Sequence, residues 1–241
     1  MLWQDLKDFI INKNKFMKIV NPFRRMSWES TRSIWFGNVT QYFGENKEFY
    51  LQNFGLPEGH NGIDIHVKYG EDLIACFDGY VLKDYDGANS DLRKGYGIQI
   101  ITDYDLGMYY VAVYWHNQIG NPLKDSDIVK AGDIIGKEGN SGQTYQGGLY
   151  CPIETRNKSP YCGAHLHFGI AEWLPCKNEE ADNFHPNTKT PIRFSRWIDP
   201  IVFMNSKGIA ISPALSTMAQ LSTISQILLK LKEVINKIYG K

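Results

Sequence analysis

The sequence lacks several features that would indicate common classes of protein. Its 26 basic and 26 acidic residues leave no net charge, which gives no electrostatic reason to expect a nucleic acid or an anionic membrane as a partner. No apolar run approaches the roughly 20 residues that span a bilayer. The first 20 residues carry Asp5 and Asp8 and have no apolar stretch followed by a small-residue cleavage site, so we expect no signal peptide.

Cysteine is also scarce. The four cysteines show no C-x-x-C spacing, which argues against a structural zinc knuckle. Cys151 and Cys162 bracket a polar segment that a disulfide between them could close. Two free buried thiols are an equal alternative, and both remain open at this point.

Glycine (22), tyrosine (14) and tryptophan (6) are plentiful, which is typical of strands and tight turns. Short β-rich runs are separated by Gly, Asn and Asp turns, as in "GIDIHV", "GYVLKDY", "GIQIITDY", "MYYVAVYWH", "DIIGKEG" and "HLHFGIAEW". Strands at this spacing, with few helical stretches between them, predict an all-β domain with an antiparallel sheet or sandwich.

The chain divides into three predicted parts. We expect a weakly helical N-terminal extension over 1–30, the β domain over 31–206 and an amphipathic helix over 207–241. The helix is indicated by an apolar stripe at 3–4–3–4–3 spacing: Leu221, Ile224, Leu228, Leu231, Ile235 and Ile238. It could fold back on its own domain, or pair with a second copy or a partner protein.

Two histidines occur close together in "GAHLHFGI". On a strand, His165 and His167 point to one face while Leu166 and Phe168 point to the other, which suits a core. Both imidazoles could then reach a shared centre. A pair of surface histidines is the alternative.

A second polar cluster is "GHNGIDIHV". His60, Gly62, Asp64 and His66 share one strand parity, and the isoleucines between them share the other. A straight strand would place His60 about 13 Å from Asp64, too far for both to bind one ion. We therefore predict a bend at Asn61-Gly62, a turn-forming dipeptide.

Together the two clusters supply histidines and one carboxylate. A zinc ion with three such ligands keeps a fourth position for water, which is typical of catalytic sites. One carboxylate leaves a net positive charge that lowers the pKa of that water. A histidine left over from the ligand set could move protons, and His116 could approach the same face.

These residues resemble a known family, the lysostaphin/LytM-type zinc metallopeptidases that cut peptidoglycan peptides. The resemblance covers about residues 33–204. Its matching segments follow the family's order: "VTQYFGE", "HNGIDI" (HxxxD), "IACFDGYV", "GYGIQI", "VYWH", "VKAGDIIGKEGNSG", "AHLHFGI" (HxH) and "IDPIVFM".

The resemblance implies that His60, Asp64 and His167 bind one Zn²⁺ ion, that His165 is catalytic and that His116 assists it. It implies peptidoglycan peptides as substrates and an open groove across the sheet. We also predict Asn140, in the "GNSG" segment, to bind substrate. His66 and His185 match no family position and are predicted to be non-catalytic.

The chain departs from the family in a segment over 143–162, an insertion of about a dozen residues. We expect this segment to form a wall or a lid of the groove, or else an ordinary surface loop. Without a signal peptide, release by a holin, a virion or another export route would bring the chain to the cell wall, as in a phage lysin. The alternatives are a non-catalytic regulator of a cell-wall hydrolase and a structural virion protein.

Overall fold

A computed structural model describes residues 19–20, 22, 39–65, 68–85, 94–102, 107–118, 120 and 122–206. The predicted C-terminal helix over 207–241 lies outside the described residues, as do His66 and most of the predicted extension over 1–30. The division into three parts therefore remains a prediction.

The described chain is mostly β-structure, as the turn-rich sequence predicts. The strands are β1 (Val39–Gln41), β2 (Ile63–Ile65), β3 (Asp72–Ile74), β4 (Gly79–Tyr85), β5 (Tyr96–Ile101), β6 (Tyr109–Asn117), β7 (Ile128–Val129), β8 (Ile134–Lys137), β9 (Tyr145–Gln146), β10 (Leu149–Tyr150), β11 (Leu166–Pro175), β12 (Asn183–Phe184) and β13 (Pro191–Ile198). The helices are α1 (Lys47–Phe54), α2 (Ile153–Lys158), α3 (Pro200–Ser206) and a 3₁₀ turn at Asn178–Glu180.

Nine strands form one antiparallel sheet. Its main order is β1-β2-β11-β6-β5-β4-β7, with β13 pairing the later part of β11 and β12 pairing β13. Strand β11 lies at the centre and pairs with β2, β6 and β13 along its length. β3 and β8 form a separate small sheet, and β9 and β10 form a hairpin. The predicted antiparallel all-β fold is confirmed.

The main core lies between the large sheet and the small one. Side chains of the small sheet, such as Leu73 and Ile135, join Ile63, Leu166 and Phe168 of the large sheet in one buried cluster. Leu166 and Phe168 are fully buried, as their strand parity predicts. The opposite face of the large sheet carries a second, more aromatic cluster.

Short segments attach to this frame. Helix α1 begins after Asn46 and ends at Gly55, whose positive φ of 69° lets its N–H reach Leu51 O. Val20 N–H donates to Cys76 O, so part of the predicted N-terminal extension docks on the β domain. Among the described residues, no helix is long and apolar enough to cross a membrane.

Candidate active site

The bend before β2 brings His60 to Asp64. Asp64 lies on β2 between the buried Ile63 and Ile65, and His60 precedes the strand. His60 Nε2 is 3.1 Å from Asp64 Oδ1, whereas a straight strand would separate the two residues by about 13 Å. The predicted bend at Asn61-Gly62 is therefore present.

Glycine at position 62 is needed for close packing. Gly62 has no positive φ, so left-handed backbone is not the reason for it. A Cβ there would lie 2.6 Å from Phe168 O and 2.8 Å from His167 Nε2. The absence of a side chain allows the bend to pass directly beneath the later histidine.

Strand register then brings His167 to the same place. His167 pairs with Asp64 across β2 and with Trp115 across β6. Its Nδ1 lies 2.9 Å from His60 Nε2 and 3.1 Å from Asp64 Oδ1. One donor atom from each of these three residues thus converges on a single point, as the resemblance implies.

The donor set fits a divalent cation. His60 is 1% exposed and His167 is 4% exposed, and the candidate ligand atoms all lie within 4.8 Å of one another. Ligands about 2.0–2.2 Å from a tetrahedral zinc lie roughly 3.3 Å apart, close to the separations found here. Two neutral imidazoles and one carboxylate are ligands that zinc accepts.

The electrostatics keep His167 and Asp64 in their ligand forms. Burial lowers the pKa of His167 to about 4, so the ring is neutral at pH 7. Burial raises the pKa of Asp64, but the charges of His165 and His60 and hydrogen bonds from the histidine rings outweigh it. The pKa of Asp64 is therefore held well below its ordinary value, and the carboxylate is ionised.

His165 stands beside this point just before β11. Its Nδ1–H donates to Gly163 O at 2.8 Å, because a carbonyl can only accept. The other ring nitrogen, Nε2, is 3.6 Å from Asp64 Oδ2. In the neutral ring this hydrogen bond makes Nε2 the acceptor nitrogen, and Nε2 faces the donor set.

His116 lies next to His165, with the ring centroids 4.7 Å apart. Its Nδ1–H donates to Ser141 O at 2.7 Å, and its backbone has a positive φ of 64°. Burial, followed by the charges of His165 and His167, lowers the pKa of His116 well below its ordinary value. The ring is neutral and held by a backbone conformation that costs about 1–3 kcal/mol.

The structure also shows neighbours that the sequence analysis did not identify. Trp115 stacks on His167 with ring centroids 4.5 Å apart. Tyr50 of α1 lies against His60, with centroids 5.2 Å apart. Burial and then the charge of Asp64 raise the pKa of Tyr50, so its hydroxyl stays protonated. Trp115 lies between Tyr114 and His116 in the sequence, but cross-strand register is needed to place it on His167.

A groove of about 1120 Å³ is lined by Asp64, His116, His165 and His167, together with Tyr50 and Trp115. Its floor is the aromatic face of the large sheet, with Trp115, Trp173, Phe194 and Trp197. Helix α1 lines the groove with Phe49, Tyr50 and Phe54.

The insertion supplies part of the groove wall. Tyr145 and the Gly147-Gly148 turn of its hairpin line the groove, and the Tyr145 ring is 6.2 Å from that of Phe49. A disulfide joins Cys151 to Cys162, which decides between the two alternatives left open above. Of the wall, the lid and the surface loop considered for this segment, its lining residues favour the wall.

Asn140 ties this wall to the domain. Its side-chain amide donates to Pro160 O and Cys162 O, at 3.0 and 3.1 Å. The buried Arg156 in turn donates to Asn140 O at 2.7 Å. The role of Asn140 in substrate binding stays a prediction.

His185 is fully buried and is not among the residues that line the groove. It makes hydrogen bonds with Thr102 O and the Thr188 N–H, both at 3.2 Å. Its ring stacks on Tyr109. These contacts are those of a structural histidine.

Residues 58–182, slightly more than half of the chain, match the sequence profile of Peptidase family M23. The chain belongs to Peptidase family M23. The matched segment contains both histidine motifs, so the lysostaphin/LytM-type resemblance is confirmed.

Two curated relatives resemble this M23 domain in sequence. "Murein hydrolase activator NlpD" of Salmonella typhimurium is 34% identical over 110 residues, which cover 45% of this chain and 27% of the relative. "Outer membrane antigenic lipoprotein B" of Histophilus somni is 38% identical over 93 residues, covering 38% of this chain and 25% of the relative. The chain thus matches about a quarter of the length of these proteins.

Solved structures similar to the M23 domain include two peptidases. The catalytic domain of lysostaphin from Staphylococcus simulans is 22% identical, with 61% of this chain and 80% of that chain covered and a TM-score of 0.37. A zinc-containing peptidase from Vibrio cholerae is 22% identical, with 55% and 32% covered and a TM-score of 0.37.

Proposed function

We propose that the chain is a zinc-dependent metalloendopeptidase that hydrolyses peptide bonds in bacterial peptidoglycan. The observation that carries the proposal is the convergence of His60 Nε2, Asp64 Oδ1 and His167 Nδ1 beside a groove. Two further histidines with fixed tautomers stand next to them. This is the set of groups that metal-assisted hydrolysis of an amide requires.

His60, Asp64 and His167 would hold the ion. When bound, zinc would polarise the scissile carbonyl and make a water molecule acidic near neutral pH. The single carboxylate of the donor set leaves the centre with a net positive charge, which favours both effects.

His165 is the proposed general base and acid. Its Nδ1–H is committed to Gly163 O, so Nε2 accepts a proton from the attacking water. The protonated ring then donates that proton to the leaving amine. The nearby carboxylate of Asp64 stabilises the imidazolium in between.

His116 assists in its neutral form. Because its ring proton lies on Nδ1, Nε2 can accept a hydrogen bond but cannot donate one to an oxyanion unless the ring becomes charged. Burial opposes that charge. The proposed role is therefore to accept a hydrogen bond that orients the water or the protonated His165.

The groove favours an extended, flexible substrate. It runs past the donor set, and its aromatic floor offers flat apolar surfaces to a peptide. The murein-related name of the relative NlpD supports peptidoglycan as the polymer concerned. The disulfide in the wall supports action at the cell wall, since such bonds persist outside the reducing cytosol.

A second candidate is a non-catalytic activator of a cell-wall hydrolase. The Salmonella relative, whose name is murein hydrolase activator NlpD, favours this candidate. A binding module has no need of a complete buried donor set with two oriented histidines beside it. The presence of all these groups makes the peptidase the better-supported function.

The test uses purified chain, with and without a zinc chelator, on peptidoglycans with Gly-Gly, D-Ala-Gly and D-Ala-diaminopimelate links. Released peptides are identified by mass. We expect zinc-dependent release from at least one polymer. His165→Ala should retain zinc and lose release. Release that survives this substitution contradicts the role of His165, and no release from any polymer by a zinc-loaded chain favours the activator.

A further inference from the structure

One ring nitrogen of His167 has unusual surroundings. Nδ1 faces His60 and Asp64, while Nε2 is buried and has no hydrogen-bond partner among the residues that the structure describes. Metal-binding histidines ordinarily donate their second N–H to a carboxylate or carbonyl, which fixes the ring's orientation. The orientation of His167 must therefore be set by other contacts.

The indole of Trp115 supplies such a contact. His167 and Trp115 are paired across β11 and β6, so their side chains leave the sheet on the same face. Their rings are stacked, with centroids 4.5 Å apart and planes 12° apart. An aromatic face at this distance prevents the imidazole from tilting towards the groove.

The indole is itself held on several sides. Trp115 Nε1–H donates to Asp84 Oδ2 at 2.7 Å, and Gln99 donates to the same oxygen at 2.9 Å. Lys94 Nζ donates to Asp84 Oδ1 at 2.8 Å and lies 5.2 Å from the centroid of Trp115. A Cβ at Gly97 would lie 2.7 Å from Trp115 Cδ1, so the indole packs closely over backbone of β5 that carries no side chain at this position.

We propose that Trp115, held by Asp84, positions the His167 ring for metal binding in place of the usual hydrogen bond. Both are positioning residues, because they act on the ion through His167. The inference rests on the proposed function, since it assumes that His167 is a metal ligand. It adds two residues, from β6 and β4, that sequence motifs do not mark.

The test measures zinc affinity by competition with a chromogenic chelator, which requires no peptidase activity. We expect Trp115→Ala to weaken zinc binding about tenfold or more, the range typical of groups that support a ligand. Trp115→Phe keeps an aromatic face and should stay within about threefold of the wild type. Tyr161→Ala, which removes an exposed aromatic ring that does not line the groove, should leave the zinc affinity unchanged.

Asp84 is tested by a double-mutant cycle. Asp84→Ala should weaken zinc binding when Trp115 is present, and should have no effect in the Trp115→Phe background, which has no indole N–H. Asp78→Ala removes an exposed carboxylate that pairs with Lys130 and serves as the charge control. Thermal melts of the metal-free variants check that each is folded.

Wild-type zinc affinity in Trp115→Ala would overturn the role of the indole. An equal effect of Asp84→Ala in both backgrounds would overturn the role of Asp84 through Trp115. If Trp115→Ala does not fold, the Phe background and Asp84 decide the question. A wild-type chain that binds no zinc would refute the proposed function itself, and this inference with it.

Discussion

Replacing Gly62 with alanine should weaken the proposed metal centre although it replaces none of the candidate ligands. The added Cβ would meet Phe168 O at 2.6 Å and His167 Nε2 at 2.8 Å, where ordinary contacts begin at 3.4 Å. The backbone or the ring must therefore move by about 0.6 to 0.8 Å, the difference between these values. Functional metal sites keep ligand distances within about 0.2 Å, so the ligand set cannot absorb this shift.

Overpacking of this kind costs about 1–3 kcal/mol. If the strain is relieved when His167 leaves the centre, zinc affinity falls by about 5- to 150-fold. The assay is chelator competition on the purified variant, followed by zinc-dependent peptide release. Gly169→Ala is the matched control on β11, because its Cβ would meet nothing closer than the Trp197 ring at 3.2 Å and Asn61 O at 3.3 Å. Zinc affinity in Gly62→Ala within twofold of the wild type would refute the reasoning.

Three other predictions follow. In metal-free protein, the folded-state pKa of His167 (about 4) is below its unfolded value of about 6.5, so unfolding takes up a proton. As the pH falls from 6.5 to 4, the free energy of unfolding should decrease by at most roughly 3 kcal/mol, and the melting temperature should fall with it. A melting temperature that rises over this interval would contradict the burial of the His167 ring. Replacing Cys151 and Cys162 with serine opens a loop with a sequence separation of 11 and should cost about 3 kcal/mol, seen as a lower melting temperature with zinc affinity kept. Trp197→Ala should raise KM for a cleaved peptide about fivefold with little change in kcat; a fall in kcat alone would place Trp197 outside substrate binding.

Local periodicity was enough to predict much of the fold. Strand parity correctly placed Leu166 and Phe168 in the core and both histidines of the HxH pair on the other face. The β-rich runs correspond to strands, because each combines β-branched or aromatic residues with turn residues at its ends. The bend before Asp64 follows from the reach of a straight strand, the assumption of one shared ion and the turn-forming Asn61-Gly62 dipeptide.

Other features depend on contacts that sequence spacing does not encode. Helix α1 has no buried residue, so it has no apolar stripe by which to recognise it. Asp84 and Trp115 are 31 residues apart and meet only through the pairing of β4, β5 and β6. The reason for Gly62 is likewise a contact with β11, far away in the sequence.

The closure of the wall segment by its own disulfide has a consequence for the evolution of substrate preference. The hairpin and α2 are tied at their base by Cys151–Cys162 and by the amide of Asn140, while the candidate metal ligands lie on β2, on β11 and in the bend before β2. Hairpin residues that line the groove, such as Tyr145, can therefore vary in size or charge without moving the candidate ligands. If the chain is the proposed peptidase, a chimaera that exchanges only this segment should take on the substrate selectivity of the protein that supplies the segment.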